Sequence, residues 1–257
     1  MKLSAVTLAR VLAFVETFDL NPQGTVFFPD LVAKLVEKCR FQKFPQTIQD
    51  FDEQKGVEFL SGTWGRINVE KLTIYNNGIL LDTRASTSIS EQVLSEALEW
   101  AKEFGIVYQP QMIKRKGFLS SFSFYSDVPL LGQTAALTKL SQSLSGIIQE
   151  RTGLNFTHQP TRLDFDFDRT MTQQVPVAAF TIQRRAVTPF SENKYFSEAP
   201  LRSEEHIELL EEFERNVSAG LTEVERAPEE HSPTEQFEEG LLQKRPKRAI
   251  AFKKDDV

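Results

Sequence analysis

INVEKLTIYNNGILLDTR, residues 67–84, is the stretch on which the fold turns. Two runs rich in Ile, Leu, Val, Thr and Tyr flank Asn76-Asn77-Gly78. Such runs favour extended chain, because β-branched and aromatic side chains fit a pleated surface. Asn-Gly between them is a strong hairpin signal. A two-residue turn of the favoured hand needs positive φ at both central positions, which Asn and Gly tolerate. The stretch therefore predicts antiparallel strands at 67–75 and 78–84. Ser86, Thr87, Ser88 and Ser90 then offer helix N-caps, with Glu91 one turn on. Val93, Leu94, Ala97, Leu98 and Ala101 recur at helical spacing as a buried stripe, and Gly105 stops the helix after Phe104.

Working upstream, residues 5–20 are dense in Val, Leu and Phe. Periodicity there fits a strand or a buried helix. The turn Asn21-Pro22-Gln23-Gly24 favours the strand. A helix opens at Pro29-Asp30 and carries Leu31, Val32, Leu35 and Val36 inward as far as Cys39. Residues 42–56 read as a polar loop, and 57–61 as a strand.

Downstream, Phe118, Phe122 and Phe124 mark a strand at 117–126, and Pro129 and Gly132 break the chain. Leu137, Leu140, Leu144 and Ile147 share one face of a helix over 134–151, which Gly153 ends. Strands are expected at 161–169 and 176–186. PFSENKYFSEAPL, 189–201, reads as a polar loop bearing aromatic side chains. A last helix covers 203–217, with Ile207, Leu210 and Phe213 as its apolar stripe.

This order of elements predicts an α+β fold: a mostly antiparallel sheet with helices packed on one face. Residues 1–220 form one domain. A weak internal echo, in which 67–104 and 177–217 both read as strands then a helix, would divide it into halves at 1–130 and 131–220. Composition changes beyond Gly220. Residues 221–239 hold seven acidic side chains and one Arg, and 244–254 hold six basic ones. With its prolines, 221–257 reads as a flexible acidic-then-basic tail.

Hydrophobic residues make up 40% and charged residues 26%, the balance of an ordinary globular chain. The net charge of −6 argues against a general electrostatic grip on nucleic acid. The single cysteine, Cys39, cannot form an internal disulfide, which suits a reducing compartment. The first 20 residues are interrupted by Arg10 and lack a small-x-small site before Glu16, so they do not read as a secretion signal. No run approaches the ~20 apolar residues of a membrane span. A cytoplasmic protein with no membrane association is expected.

RLDFDFDR, residues 162–169, alternates three aspartates with apolar residues. In a strand, Asp164, Asp166 and Asp168 share a face with Arg162, and Leu163, Phe165 and Phe167 point the other way. Same-face neighbours stand roughly 7 Å apart, too far for adjacent aspartates alone to chelate one ion. The cluster reads first as a solvated strand face. It is also the candidate catalytic or metal site of a hydrolase or nuclease, or a partner for Arg184 or Arg185 on the next strand. His206, among Glu204, Glu205 and Glu208, reads as part of a solvated helix face. HExxH, Walker, GxGxxG and GxSxG motifs are all missing, and no cofactor is expected.

Two basic stretches remain as candidate phosphate contacts. They are Lys114, Arg115 and Lys116, and, in the tail, Lys244, Arg245, Lys247 and Arg248. Trp64, set between glycines, and Phe190, Tyr195 and Phe196 in the 189–201 segment are candidate anchors for a protein partner. The reading that results is a non-catalytic cytoplasmic interaction or assembly protein, with a protein partner or its own copy. Metal-dependent hydrolysis and accessory nucleic-acid binding stand as alternatives.

Overall fold

The computed structural model describes residues 1–51, 55–132, 134–168 and 177–226. In chain order the elements are β1 (Lys2–Phe14), α1 (Thr17–Leu20), α2 (Phe28–Cys39), β2 (Val57–Trp64), β3 (Ile67–Tyr75), β4 (Gly78–Thr83) and α3 (Thr87–Ala101). There follow β5 (Arg115–Tyr125), α4 (Ala135–Thr152), β6 (Arg162–Phe165), β7 (Phe180–Arg184), β8 (Lys194–Ala199) and α5 (Ser203–Arg226). The strands form one eight-stranded sheet in the order β2-β3-β4-β1-β5-β8-β7-β6, and every neighbouring pair is antiparallel. The α+β class follows directly.

The strand order reads the same from both ends. Each half is a strand, a helical segment, a three-strand meander and a helix, with β1 and β5 meeting at the centre. In topology β5 opens the second half as β1 opens the first. The stretches 67–104 and 177–217 occupy equivalent places, as β3-β4-α3 and β7-β8-α5. Ala9 of β1 lies opposite Ser120 of β5, and this row continues outward to Thr83 on one side and Ala199 on the other. Over it sit the first turns of α3 and α5. Ser90 of α3 donates to the Ala9 carbonyl and meets the Thr83 hydroxyl, both at 2.8 Å. His206 of α5 meets the Ser120 and Ser197 hydroxyls, both at 2.8 Å.

The 67–84 hairpin forms, with Tyr75 opposite Gly78. Its turn is not the expected one, since neither Asn76 nor Asn77 takes positive φ. A tertiary contact holds it instead: the Asn76 carbonyl accepts from the Thr17 N–H at 2.7 Å and the Thr17 hydroxyl at 2.9 Å. Gly78 serves strand approach rather than turn geometry. A Cβ there would stand 3.0 Å from the Ala13 carbonyl on β1.

Other departures have local causes. The 189–201 segment is not all loop, because Lys194–Ala199 forms β8 between β5 and β7. Its period of two is plain once seen: Tyr195, Ser197 and Ala199 are buried, and Lys194, Phe196 and Glu198 alternate with them. Strand β6 is four residues long, so Asp166 and Asp168 lie beyond it. Helix α5 runs on to Arg226, past the expected start of the tail. The remaining tail, 227–257, lies outside the described residues.

Two apolar clusters cover one face of the sheet. In the first, Val11, Phe59 and Leu81 of the sheet meet Val32 and Leu35 of α2 and Leu94 and Leu98 of α3; in the second, Phe122, Phe124, Ile182 and Tyr195 of the sheet meet Leu210 of α5. Among the described residues the first holds 18 buried members and the second seven, so the second half is the less completely covered.

Candidate interaction surface

Helices α2 and α4 hold corresponding places in the two halves, each following the half's central strand. Their packing differs. α2 buries Val32, Leu35 and Cys39. α4, 18 residues long, buries none. Its stripe of Leu137, Leu140, Leu144 and Ile147 is 41%, 65%, 43% and 48% exposed. The four residues share one face of the helix as expected, and that face is open to solvent. The helix itself is well made. The Thr134 hydroxyl accepts from the Leu137 N–H at 3.3 Å as an N-cap, and Gly153 ends it at φ +73°.

The chain returns beside α4. The Ser145 hydroxyl accepts from the His158 N–H at 3.1 Å and meets His158 Nδ1 at 3.0 Å. At the base, Gly132 lies against Pro160, where a Cβ would stand 3.1 Å from the ring. α4 and residues 153–160 thus form an arm in which Ser141, Ser145 and Ile148 of the helix are half-buried. Leu154 and Phe156 add two more exposed apolar side chains. The six together expose on the order of 600 Å² of apolar surface, at the upper limit for the largest patch on an ordinary monomer. Phe165 and Phe167, from the aspartate-rich stretch 162–169, are also exposed.

The aromatic candidates lie elsewhere. Tyr195 is fully buried in the second cluster, its hydroxyl accepting from the Leu130 N–H at 2.9 Å. It has no face to offer a partner. Trp64 is half-buried at the rim of the first cluster, edge-on to Trp100 and donating to Glu96 at 2.8 Å. Phe190 lies under the Arg184 guanidinium at 4.9 Å, and Phe196 is half-buried on β8.

The charged candidates are engaged. Asp164 accepts from Arg162 Nε at 2.7 Å and from the Thr181 hydroxyl at 2.6 Å, and these two hold its carboxyl below the usual range. Its arginine partner is thus Arg162 on its own strand, not Arg184 or Arg185. Asp166 accepts from the Phe167 N–H at 3.0 Å, and Asp168 is exposed. Among the described residues, no three His, Cys, Asp or Glu side chains converge to hold a metal. Lys116 bonds Glu91 at 2.6 Å, Lys114 lies 3.7 Å from Glu16, and Arg115 covers Phe14 at 4.4 Å. Lys244, Arg245, Lys247 and Arg248 lie outside the described residues.

His206 departs most from its expected solvated setting: it is fully buried. Helical spacing puts it in line with Leu210 and Phe213, with Glu204, Glu205 and Glu208 turned outward, so the stripe was present to be read one turn earlier. Burial pushes its imidazole down to about 4, partly offset by the bond to Ser120. Neutral imidazole has one donor and one acceptor nitrogen, which suits its two serine partners. With no exposed surface it is a structural crosslink between α5, β5 and β8.

A cavity of about 610 Å³ opens between α2, α3 and the sheet, walled by side chains such as Leu31, Leu35, Ile74, Leu94 and Leu98. Glu16, Thr17 and Asn76 stand at its edge, with Thr17 and Asn76 bonded to each other and Glu16 near Lys114. No histidine or cysteine is among the residues that line it. Among the described residues, no helix is long and apolar enough to cross a membrane. Compared with models of known protein families and with curated proteins, the sequence finds no match.

Proposed function

We propose that this is a non-catalytic interaction or assembly protein that works through the α4 arm. One observation carries the reading: Leu137, Leu140, Leu144 and Ile147 form a continuous stripe left in water, on a helix whose counterpart α2 is packed down. Exposing such a stripe is unfavourable unless another surface covers it. The engaged state of Asp164, Lys114 and Lys116 lends less support to hydrolysis or to phosphate binding. A cytoplasmic setting accords with the single, buried cysteine, whose thiol burial pushes up to about 11.

The test is a pull-down with wild type and with the double variant Leu140→Lys/Leu144→Lys, both checked for folding by circular dichroism. Retention of a defined partner by wild type and its loss in the variant is the expected result. Identical retention by both would remove the arm from the function.

A further inference from the structure

We infer that the cavity between α2, α3 and the sheet is a binding site for an uncharged, hydrocarbon-rich small molecule. This goes beyond the α4 arm and does not depend on it. The first argument is depth. Leu35, Leu72, Ile79 and Leu94 line the cavity, yet they are only 3–7% exposed. A folded partner lies across a surface and does not reach such a floor, whereas a slender molecule does. Phe28, Leu31, Trp100 and Ile106 also line the cavity and are half-buried, so they mark the way in. Its volume of about 610 Å³ falls within the roughly 300–1,000 Å³ of small-molecule sites. Protein interiors are otherwise close-packed, and water against apolar walls is unfavourable.

The second argument is that the rim is braced. α1 is tied to the 67–84 hairpin through Thr17 and the Asn76 carbonyl, and to the segment after α3 through the Val107 N–H, which donates to the Leu20 carbonyl at 2.8 Å. Between α1 and α2, the Asn21 amide donates to the Val26 carbonyl at 2.9 Å and accepts from the Val26 N–H at 3.2 Å. Val26 in turn abuts Gly105, where a Cβ would stand 3.1 Å from its side chain. Backbone bonds thus hold the walls apart, as a preformed site requires.

The third argument is chemistry. Among the described residues that line the cavity, Glu16 alone carries charge, and Lys114 stands 3.7 Å from it. The interior offers a charged ligand no counter-charge, and burying an unpaired charge is costly. Thr17 and Asn21 spend their hydrogen-bonding atoms on the rim itself. Recognition is therefore by apolar contact, with any polar end of the ligand left at the mouth beside Glu16.

The experiment is fluorescence titration of the full chain with the neutral probe N-phenyl-1-naphthylamine, followed by competition with dodecanol and with dodecanoate. Wild type is expected to bind the probe saturably, one per chain, and to release it to dodecanol at lower concentration than to dodecanoate. Ala97→Phe and Leu31→Trp place bulk in the cavity from opposite walls, α3 and α2. Each variant, checked for folding by circular dichroism, is expected to bind the probe about tenfold more weakly or worse. Absence of saturable binding by wild type would overturn the inference, as would undiminished binding by a folded filling variant. Stronger competition by dodecanoate would overturn the uncharged ligand. Loss of the signal in Leu140→Lys/Leu144→Lys, rather than in the filling variants, would place the probe on the α4 stripe and overturn the inference too.

Discussion

Thr87 and Ser203 cap each other's helices. The Thr87 N–H donates to the Ser203 hydroxyl at 2.9 Å, and the Ser203 N–H donates to the Thr87 hydroxyl at 2.8 Å, both bonds buried. Each residue opens its helix, so two N-termini that would repel through their dipoles are tied by exchanged donors and acceptors. The bonds span 116 residues and lie where the two halves of the fold meet.

Removing either hydroxyl strands a buried N–H on the opposite helix. Thr87→Val and Ser203→Ala should each lower stability by about 1–2 kcal/mol. The double variant should lose less than the sum, because the first substitution already parts the helix ends. Urea denaturation of the four proteins measures this, and strict additivity would count against a reciprocal pair.

His206 should make the protein acid-sensitive. Its folded-state value lies near 4, below the 6.5 of an exposed histidine, so the unfolded chain takes up the proton first. Stability from this group is full above pH 6.5 and is lost as pH falls from there toward 4, by about 3 kcal/mol in all. The loss from pH 6.5 to 5 should be visibly shallower in His206→Gln, by chemical denaturation at a series of pH values.

On the other face of the sheet, Arg10 binds Asp82 through two bonds of 2.7 and 2.8 Å. The Asp82 side chain is 6% exposed and that of Arg10 33% exposed. Arg10→Met leaves a buried carboxylate unpaired and should lower stability by about 2–4 kcal/mol. Asp82→Asn leaves the half-exposed guanidinium to water and should lower it less. The reverse ranking in thermal unfolding would refute this account.

Val187 stands at φ +60°, fully exposed, in the turn between β7 and β8. A β-branched residue is strained in the left-handed region, where glycine is not. Val187→Gly should therefore raise stability by about 1 kcal/mol. A fall in the melting temperature would show that the turn depends on the valine side chain.

Asp164 should not bind a divalent ion, since Arg162 and Thr181 occupy its carboxylate. Calorimetric titration with Mn²⁺ should show no saturable heat. Heat that vanishes in a folded Asp164→Ala variant would return the aspartate-rich stretch to the status of a metal site.

Local chemistry was legible wherever it acts within a few residues. The 67–75 and 78–84 runs, the Ser86 cap, the glycine stops at 105 and 153 and the spacing of each apolar stripe all read directly as elements and as an α+β order. The misreadings share a cause: short-range pattern reports periodicity, not what lies opposite. Asn76-Asn77 takes its turn from Thr17, far away in sequence. Tyr195 looks like a loop aromatic until β5 and β7 bracket it as a strand.

By itself, then, the sequence determined which residues share a face, because backbone geometry sets periods of two and 3.6. Only the tertiary structure decided which faces are covered. His206 and Leu144 both sit on helical stripes, yet one is fully buried and the other 43% exposed. The difference lies in where α5 and α4 dock, and docking depends on long-range strand pairing that no local window contains. The same long-range pairing brings the N-termini of α3 and α5 together over β1 and β5 while α4 stands out from the sheet.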